Sequence, residues 1–194
     1  MGYLRLTGGE WRGRKIITPS GAKVRPMQDF LRKAVFDILR GKERGAMIAD
    51  IFAGSGSLGL EAMSRRARGV LFVEKDRWIR NVLQRNITIC GIEDKSVVLG
   101  RDFLRIQSFP DTFLSPDIVF LDPPFAFDHR KILQALELHM GVFERALVVY
   151  RFPRQFEPYV NEEVLRVHML RRYGESLIAF GTLEKNTTEK VSRT

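Results

Sequence analysis

The sequence predicts an α/β domain, a mostly parallel sheet with helices on both faces, preceded by a small basic module made of a hairpin and a helix. Three observations predict it. From Met47 onward, short apolar runs alternate with segments of helical spacing. Those runs are nearly continuous rather than alternating, as strands covered on both faces must be. The cationic charge is gathered at the start of the chain: residues 1–45 hold 11 Lys and Arg against 4 Asp and Glu, residues 46–150 hold 13 of each, and the net charge is +9. A chain of 194 residues suits one such domain with an appendage.

The elements follow in order. Tyr3-Leu4-Arg5-Leu6 and Arg14-Lys15-Ile16-Ile17 are short extended candidates, with Gly8-Gly9 and Gly13 as turn positions between them. Pro19, Gly21 and Pro26 keep the next stretch irregular. Phe30, Ala34, Phe36 and Leu39 predict a helix from about Gln28 to Leu39, stopped by Gly41. Strands are then expected at 47–52, 70–73, 97–99, 118–121 and 146–150. Helices are expected at 58–64, 77–89 and 131–138, the second with Trp78, Val82 and Leu83 turned inward. Val164–Leu170 and Ser176–Thr182, joined across Tyr173-Gly174, predict a closing antiparallel pair. The expected organisation is a basic N-terminal extension over 1–45, the α/β domain over 46–184 and a polar tail over 185–194.

Composition narrows the classes of function. No window holds the roughly 18 consecutive apolar residues of a membrane span, and no apolar signal core follows Met1. A single cysteine, Cys90, cannot form an internal disulfide, which fits a reducing cytosol, and its apolar neighbours predict a buried structural thiol. His129, His139 and His168 are scattered without metal-ligand spacing, so no metal is expected. No long exposed apolar stretch calls for a second copy, so a monomer is expected. The cationic N-terminal quarter suits a polyanionic partner, nucleic acid above all.

Two motifs carry chemistry. Asp50-Ile51-Phe52-Ala53-Gly54-Ser55-Gly56-Ser57-Leu58-Gly59 joins a strand to a helix. Its small residues let backbone approach a ligand, and the helix N-terminus offers free N–H donors. Glu74, with Lys75 beside it, ends the next strand, where a carboxylate can take two ribose hydroxyls. The spacing Gly54, Gly56, Gly59 also satisfies a dinucleotide fingerprint, so this turn alone leaves NAD and S-adenosylmethionine (SAM) open. The second motif, Asp122-Pro123-Pro124-Phe125, follows the fourth strand of the domain and breaks the tie. Consecutive prolines fix the turn and remove N–H donors, leaving carbonyls free to accept. An exocyclic base amine is a poor nucleophile because its lone pair is delocalised. The Asp122 carboxylate and the Pro123 carbonyl can hold its two hydrogens and favour a pyramidal nitrogen, while Phe125 offers a face for the base. Asp102, after the third strand, is a further candidate for the adenine amine of SAM and equally an N-cap.

These residues resemble the bacterial 16S rRNA guanine-N2 methyltransferases of the class I, Rossmann-like SAM-dependent group. The resemblance runs through Gly8-Gly9-Glu10-Trp11-Arg12-Gly13-Arg14, Arg25-Pro26, Asp29, Arg32, Phe36, the 52–62 turn, Glu74, Asn86, Asp122-Pro123-Pro124-Phe125 and Tyr173-Gly174. Met27, Phe30, Lys33 and Arg151 differ from the residues usual there, Arg151 standing where an acid is common. The resemblance implies a seven-stranded sheet, SAM as cofactor, and methyl transfer to a guanine N2 of 16S rRNA, presented by a small ribosomal subunit or assembly intermediate. Asp122, Pro123 and Phe125 are the catalytic candidates. Asp50, Phe52, Ala53, Gly54, Ser55, Gly56, Gly59, Glu74, Lys75 and Asp102 are the cofactor candidates. Trp11, Arg12, Arg14, Lys15 and Arg25 are candidates to grip RNA. Methylation of another RNA or DNA base, methylation of a protein, an NAD-dependent oxidoreductase and a non-catalytic RNA-binding factor are the alternatives.

Overall fold

A computed structural model describes residues 1–19, 29–113, 115–159 and 164–184. Strands β1 (Gly2–Arg5) and β2 (Lys15–Thr18) form the N-terminal hairpin, and α1 (Asp29–Leu39) follows. Then come β3 (Met47–Ile51), α2 (Ser57–Ser64), β4 (Gly69–Val73), α3 (Arg77–Cys90), β5 (Ser96–Leu99), β6 (Ile118–Leu121), α4 (His129–Leu138), α5 (Met140–Phe143), β7 (Leu147–Pro153), β8 (Leu165–Tyr173) and β9 (Ser176–Leu183). The main sheet has seven strands in the order β5-β4-β3-β6-β7-β9-β8. The first five run parallel; β9 pairs antiparallel with both β7 and β8. The expected Rossmann-like sheet, with a hairpin sheet set apart from it, is therefore the observed one.

Strand periodicity sorts the core into two layers, because successive side chains point to opposite faces. Ile48, Val70, Phe72, Ile118, Phe120 and Val149 pack under α1, α2 and α3. Their neighbours Ala49, Leu71, Val73, Val119, Leu121 and Val148 pack under α4 and α5. Helix α3 buries Ile79, Val82, Leu83, Asn86, Ile87 and Cys90, a 3- and 4-residue stripe. Trp78 lies one step off that stripe and is 48% exposed, so the inward orientation expected for it is corrected.

The N-terminal module packs into the same core layer as α2 and α3, through Leu4, Leu6, Ile16 and the α1 residues Leu31, Val35 and Phe36. Its anchor is polar. Glu61 on α2 and Arg32 on α1 are both fully buried and meet at 3.2 Å. Glu61 also accepts from the Thr7 amide, the Thr7 hydroxyl and Arg65; Arg32 donates to the Arg5 carbonyl and to Asp29. One carboxylate thus ties the hairpin, α1 and α2 together. The hairpin tip is pinned at the far end of α2, where the Glu10 amide donates to the Ser64 carbonyl and the Trp11 amide to the Ser64 hydroxyl. Gly9 sits there at φ +75°, and a Cβ would stand 2.0 Å from the Ser64 carbonyl oxygen, so only glycine allows this approach.

Removing Glu61 takes the one fully buried carboxylate away from Arg32 and removes the acceptor shared by Thr7 and Arg65. Glu61→Ala is expected to cost about 3–5 kcal/mol of stability. Denaturant unfolding checks this; a loss no larger than that of an exposed surface substitution would contradict the anchoring role.

Candidate active site

Sheet register assembles the site. Ile51 is paired with Val73 on one side and Leu121 on the other; Val73 pairs with Leu99 and Leu121 with Tyr150. The next residue on each strand is therefore Phe52, Glu74, Gly100, Asp122 or Arg151, all in one row along the carboxyl edge. Strand order reverses between β3 and β6, and ligands of open α/β sheets bind in the crevice outside such a switch point. A cavity of about 910 Å³ opens there.

The 52–56 turn forms one wall. Phe52 adopts φ +65°, a left-handed conformation that a bulky residue takes only under constraint. Its ring is held edge-on by Phe103 at 5.8 Å and Phe127 at 5.5 Å. Asn86, buried on α3, donates to the Ser55 carbonyl at 2.9 Å and exchanges two hydrogen bonds with Ile17 of the hairpin. Glu74 accepts from the Gly54 amide at 3.0 Å and from the Asp76 amide at 2.8 Å. Each of its oxygens retains acceptor capacity for a ligand hydroxyl. Asp102 caps the short turn after β5 through the Leu104 amide and pairs with Lys75 at 3.2 Å, so the capping alternative holds while the side chain still reaches the cavity.

Asp122 and the Pro124-Phe125 turn form the facing wall. The Phe127 amide donates to the Pro124 carbonyl at 3.0 Å, which closes the turn. Arg151 donates through Nε to Asp122 Oδ1, and its guanidinium lies 4.9 Å from the centre of the Phe125 ring. Burial raises the pKa of Asp122, and the Arg151 charge opposes that rise. Behind the turn, His129 Nδ1 lies 2.5 Å from the Tyr150 hydroxyl. Burial lowers the pKa of His129.

Nine of the expected residues line the cavity: Phe52, Ala53, Gly54, Ser55, Glu74, Lys75, Asp102, Asp122 and Phe125. Four expected there stand behind its wall. Asp50 is buried and accepts from the Gly59 amide at 2.9 Å. Gly56 and Gly59 are packing residues: a Cβ on Gly56 would stand 2.5 Å from Leu83, and one on Gly59 2.4 Å from Phe72. Their smallness lets the turn and α2 pack closely against α3 and β4. Pro123 is buried, and its backbone joins the cavity residues Asp122 and Pro124, so what it can offer the site is its carbonyl. Trp11, Arg12, Arg14 and Lys15 are on the hairpin, away from the cavity; Arg14 lies over Trp11 at 5.3 Å and Lys15 over Tyr3 at 5.9 Å. Arg25 lies outside the described residues. Sequence reasoning missed Arg151 as a site residue, along with the aromatic wall of Phe103 and Phe127 and the mouth residues Phe30 and Tyr173. Arg151 was findable: it is the first residue past the strand run that pairs with the strand ending at Asp122.

The sheet order and its solved neighbours define a Rossmann-like methyltransferase. The structure of yhhF from Escherichia coli, described as a candidate methyltransferase, superposes with a TM-score of 0.77 at 28% identity, over 94% of this chain and 99% of that one. A Thermus thermophilus protein, TTHA0928, superposes with a TM-score of 0.71 at 28% identity, over 93% and 99%. The family model described as Conserved hypothetical protein 95 matches residues 4–182, and the chain belongs to that family. A curated relative, "Ribosomal RNA small subunit methyltransferase D" of Haemophilus influenzae, is 37% identical over 163 residues, 84% of each chain. The protein of the same name from Escherichia coli K12 is 39% identical over 126 residues, 64% of this chain and 61% of that one.

Asp50 gives a stability test. Burial raises its pKa well above the ordinary value, and the nearby charges of Asp122 and Glu74 push the same way. The folded state therefore holds its proton more tightly than the unfolded state. Asp50 consequently favours folding at low pH, and that contribution is lost as pH rises through the raised value. Asp50→Asn keeps an acceptor for the Gly59 amide without the charge. It is expected to raise the melting temperature at pH 8 and to raise it less at pH 5; an equal shift at both would contradict the assignment.

Proposed function

We propose that this protein is a SAM-dependent methyltransferase of small-subunit ribosomal RNA, and that its target is a guanine N2 of 16S rRNA. One observation carries the reading: a glycine turn, the Glu74 carboxylate and an Asp-Pro-Pro-Phe turn converge on one cavity at the switch point of the sheet. Its relatives bear the name of that activity, and the guanine N2 follows from the resemblance of its motifs.

The residues present fit SAM. The cavity is of the size small-molecule sites have. Its Glu74 side carries a carboxylate steered by two amides, suited to a ribose diol, and Asp102, in the same lining, would accept from an adenine amine. Phe52 and Phe103 supply apolar surface beside them. When bound, SAM supplies a methyl group on a sulfonium, already activated for transfer. The chain's own work is placement. Asp122 and the Pro123 carbonyl hold the two hydrogens of the target amine, and the Phe125 ring supports the base. Asp122 acts as its carboxylate and takes the spare proton only after the nitrogen has become acidic, so no strong base is required. Residues 1–45 serve as the RNA-gripping extension and 46–184 as the methyl-transfer domain.

Transfer of labelled methyl groups from SAM to small subunits, 16S rRNA, DNA and protein, with mapping of the methylated guanines, tests the reading. Asp122→Ala is expected to gain thermal stability from SAM, and none from NAD, as the unaltered protein does, while losing turnover. Full activity in that variant removes Asp122 from the mechanism, and label in DNA or protein alone removes the RNA target.

Arg12 and Lys15 are exposed on the hairpin. If they grip phosphates, Arg12→Gln and Lys15→Gln each reduce the slope of log affinity against log salt by about one. A slope that stays the same in both would place the RNA elsewhere.

A further inference from the structure

The two groups assigned above to the incoming base, the Asp122 carboxylate and the Phe125 ring, are both engaged by Arg151. Its Nε donates to Asp122 Oδ1 and its planar guanidinium lies 4.9 Å from the Phe125 ring centre. Both members of the ion pair are largely buried, 16% and 13% exposed, so water screens the contact weakly. The chemistry of this occupant is specific. Guanine N1, C2, N2 and N3 form a guanidine unit: a planar carbon bearing three nitrogens, with N–H donors along one edge and π faces above and below. A guanidinium offers the same shape and the same donors.

We propose that Arg151 is an internal stand-in for the target guanine: a positioning residue that holds Asp122 ionised and oriented in the free enzyme, and that the incoming base must displace. The inference rests on the assignment of Asp122 and Phe125 to the base. Register explains how the contact arises, since Tyr150 pairs with Leu121 and the next residues, Arg151 and Asp122, fall side by side on β7 and β6. A residue held this way has two separable effects. It competes with substrate, which raises KM. It also supplies the positive charge that keeps a buried carboxylate ready to accept. Two other cations, Lys75 and Arg101, line the cavity; Lys75 pairs with Asp102, and the charge that opposes the rise in the Asp122 pKa is that of Arg151. Asp50 on β3 is a like charge, Glu74 after β4 faces Asp50, and His129 at the start of α4 is held towards its neutral form by burial.

Two variants separate the effects. Arg151→Gln keeps a donor and removes the charge. Arg151→Lys keeps the charge and removes the planar group. Steady-state kinetics with small-subunit RNA over a pH series, and the carbon-13 titration of the Asp122 carboxyl in the free protein, read the outcome. In Arg151→Gln, KM is expected to fall several-fold. Both the acid limb of kcat/KM, which reports the free enzyme, and the Asp122 carboxyl titration are expected to move up by about one pH unit or more. In Arg151→Lys, KM is expected to fall while the acid limb and the titration stay near those of the unaltered protein. A KM that is unchanged or raised in both variants overturns the displacement, and an Asp122 titration that does not move in Arg151→Gln overturns the positioning. The titration needs no substrate. Absence of methyl transfer to RNA by the unaltered protein would therefore fail the proposed function, while a stationary titration fails this inference by itself.

Discussion

The buried pair of Glu61 and Arg32 is the constraint on which the arrangement of the site depends. Taking two charges out of water is costly, and the cost is met only when each is fully hydrogen-bonded in good geometry. Here the partners are drawn from three places: Thr7 at the hairpin end, Arg32 of α1 and Arg65 just past the end of α2. Meeting that requirement fixes where the hairpin and α1 lie. With the hairpin fixed, Ile17 meets Asn86, and Asn86 in turn holds the Ser55 carbonyl. With α1 fixed, Phe30 and Leu31 reach the cavity. A polar anchor in the core is thus connected, bond by bond, to the shape of the glycine turn.

The electrostatics of the carboxyl edge follow from the same packing. Parallel strands in register deliver Asp122 and Glu74 to one row, with Asp50 buried just beneath. Burial and mutual repulsion raise the pKa of Asp50, and burial raises that of Asp122. An acid-rich edge of this kind suits a cationic ligand, since a sulfonium beside carboxylates gains what the carboxylates lose by standing together. Arg151 is the cation that the chain places against Asp122, as Lys75 is against Asp102.

Much of this was legible in the sequence. Apolar runs of three to six residues located the five parallel strands to within three residues, because strands covered on both faces leave such a pattern. The glycine turn, Glu74 and Asp122 were readable because each ends such a run. What was not legible depended on phase or on contact. Trp78 fell one residue outside the α3 stripe, a 100° rotation that composition does not report. Gly56 and Gly59 read as ligand-approach glycines, yet Leu83 and Phe72 occupy the space a side chain would need. Only coordinates can distinguish a glycine kept small for a cofactor from one kept small for a neighbouring helix. Arg151 was noticed as unusual, but its meeting with Asp122 required the β6–β7 register.

The docking of the hairpin also sets an order of assembly. Thr7 finds Glu61 54 residues later, and Ile17 finds Asn86 69 residues later. Arg32 of α1 reaches the Arg5 carbonyl from nearby in sequence, but the partners on α2 and α3 come much later in the chain. Two strands of four residues are marginal on their own in water. Their docking must therefore await the closure of long loops, the slow kind of contact in folding. The docking of the hairpin is thus among the last contacts to be completed, and until then its basic tip has no fixed geometry. A protein built this way completes its basic surface only once its central sheet exists.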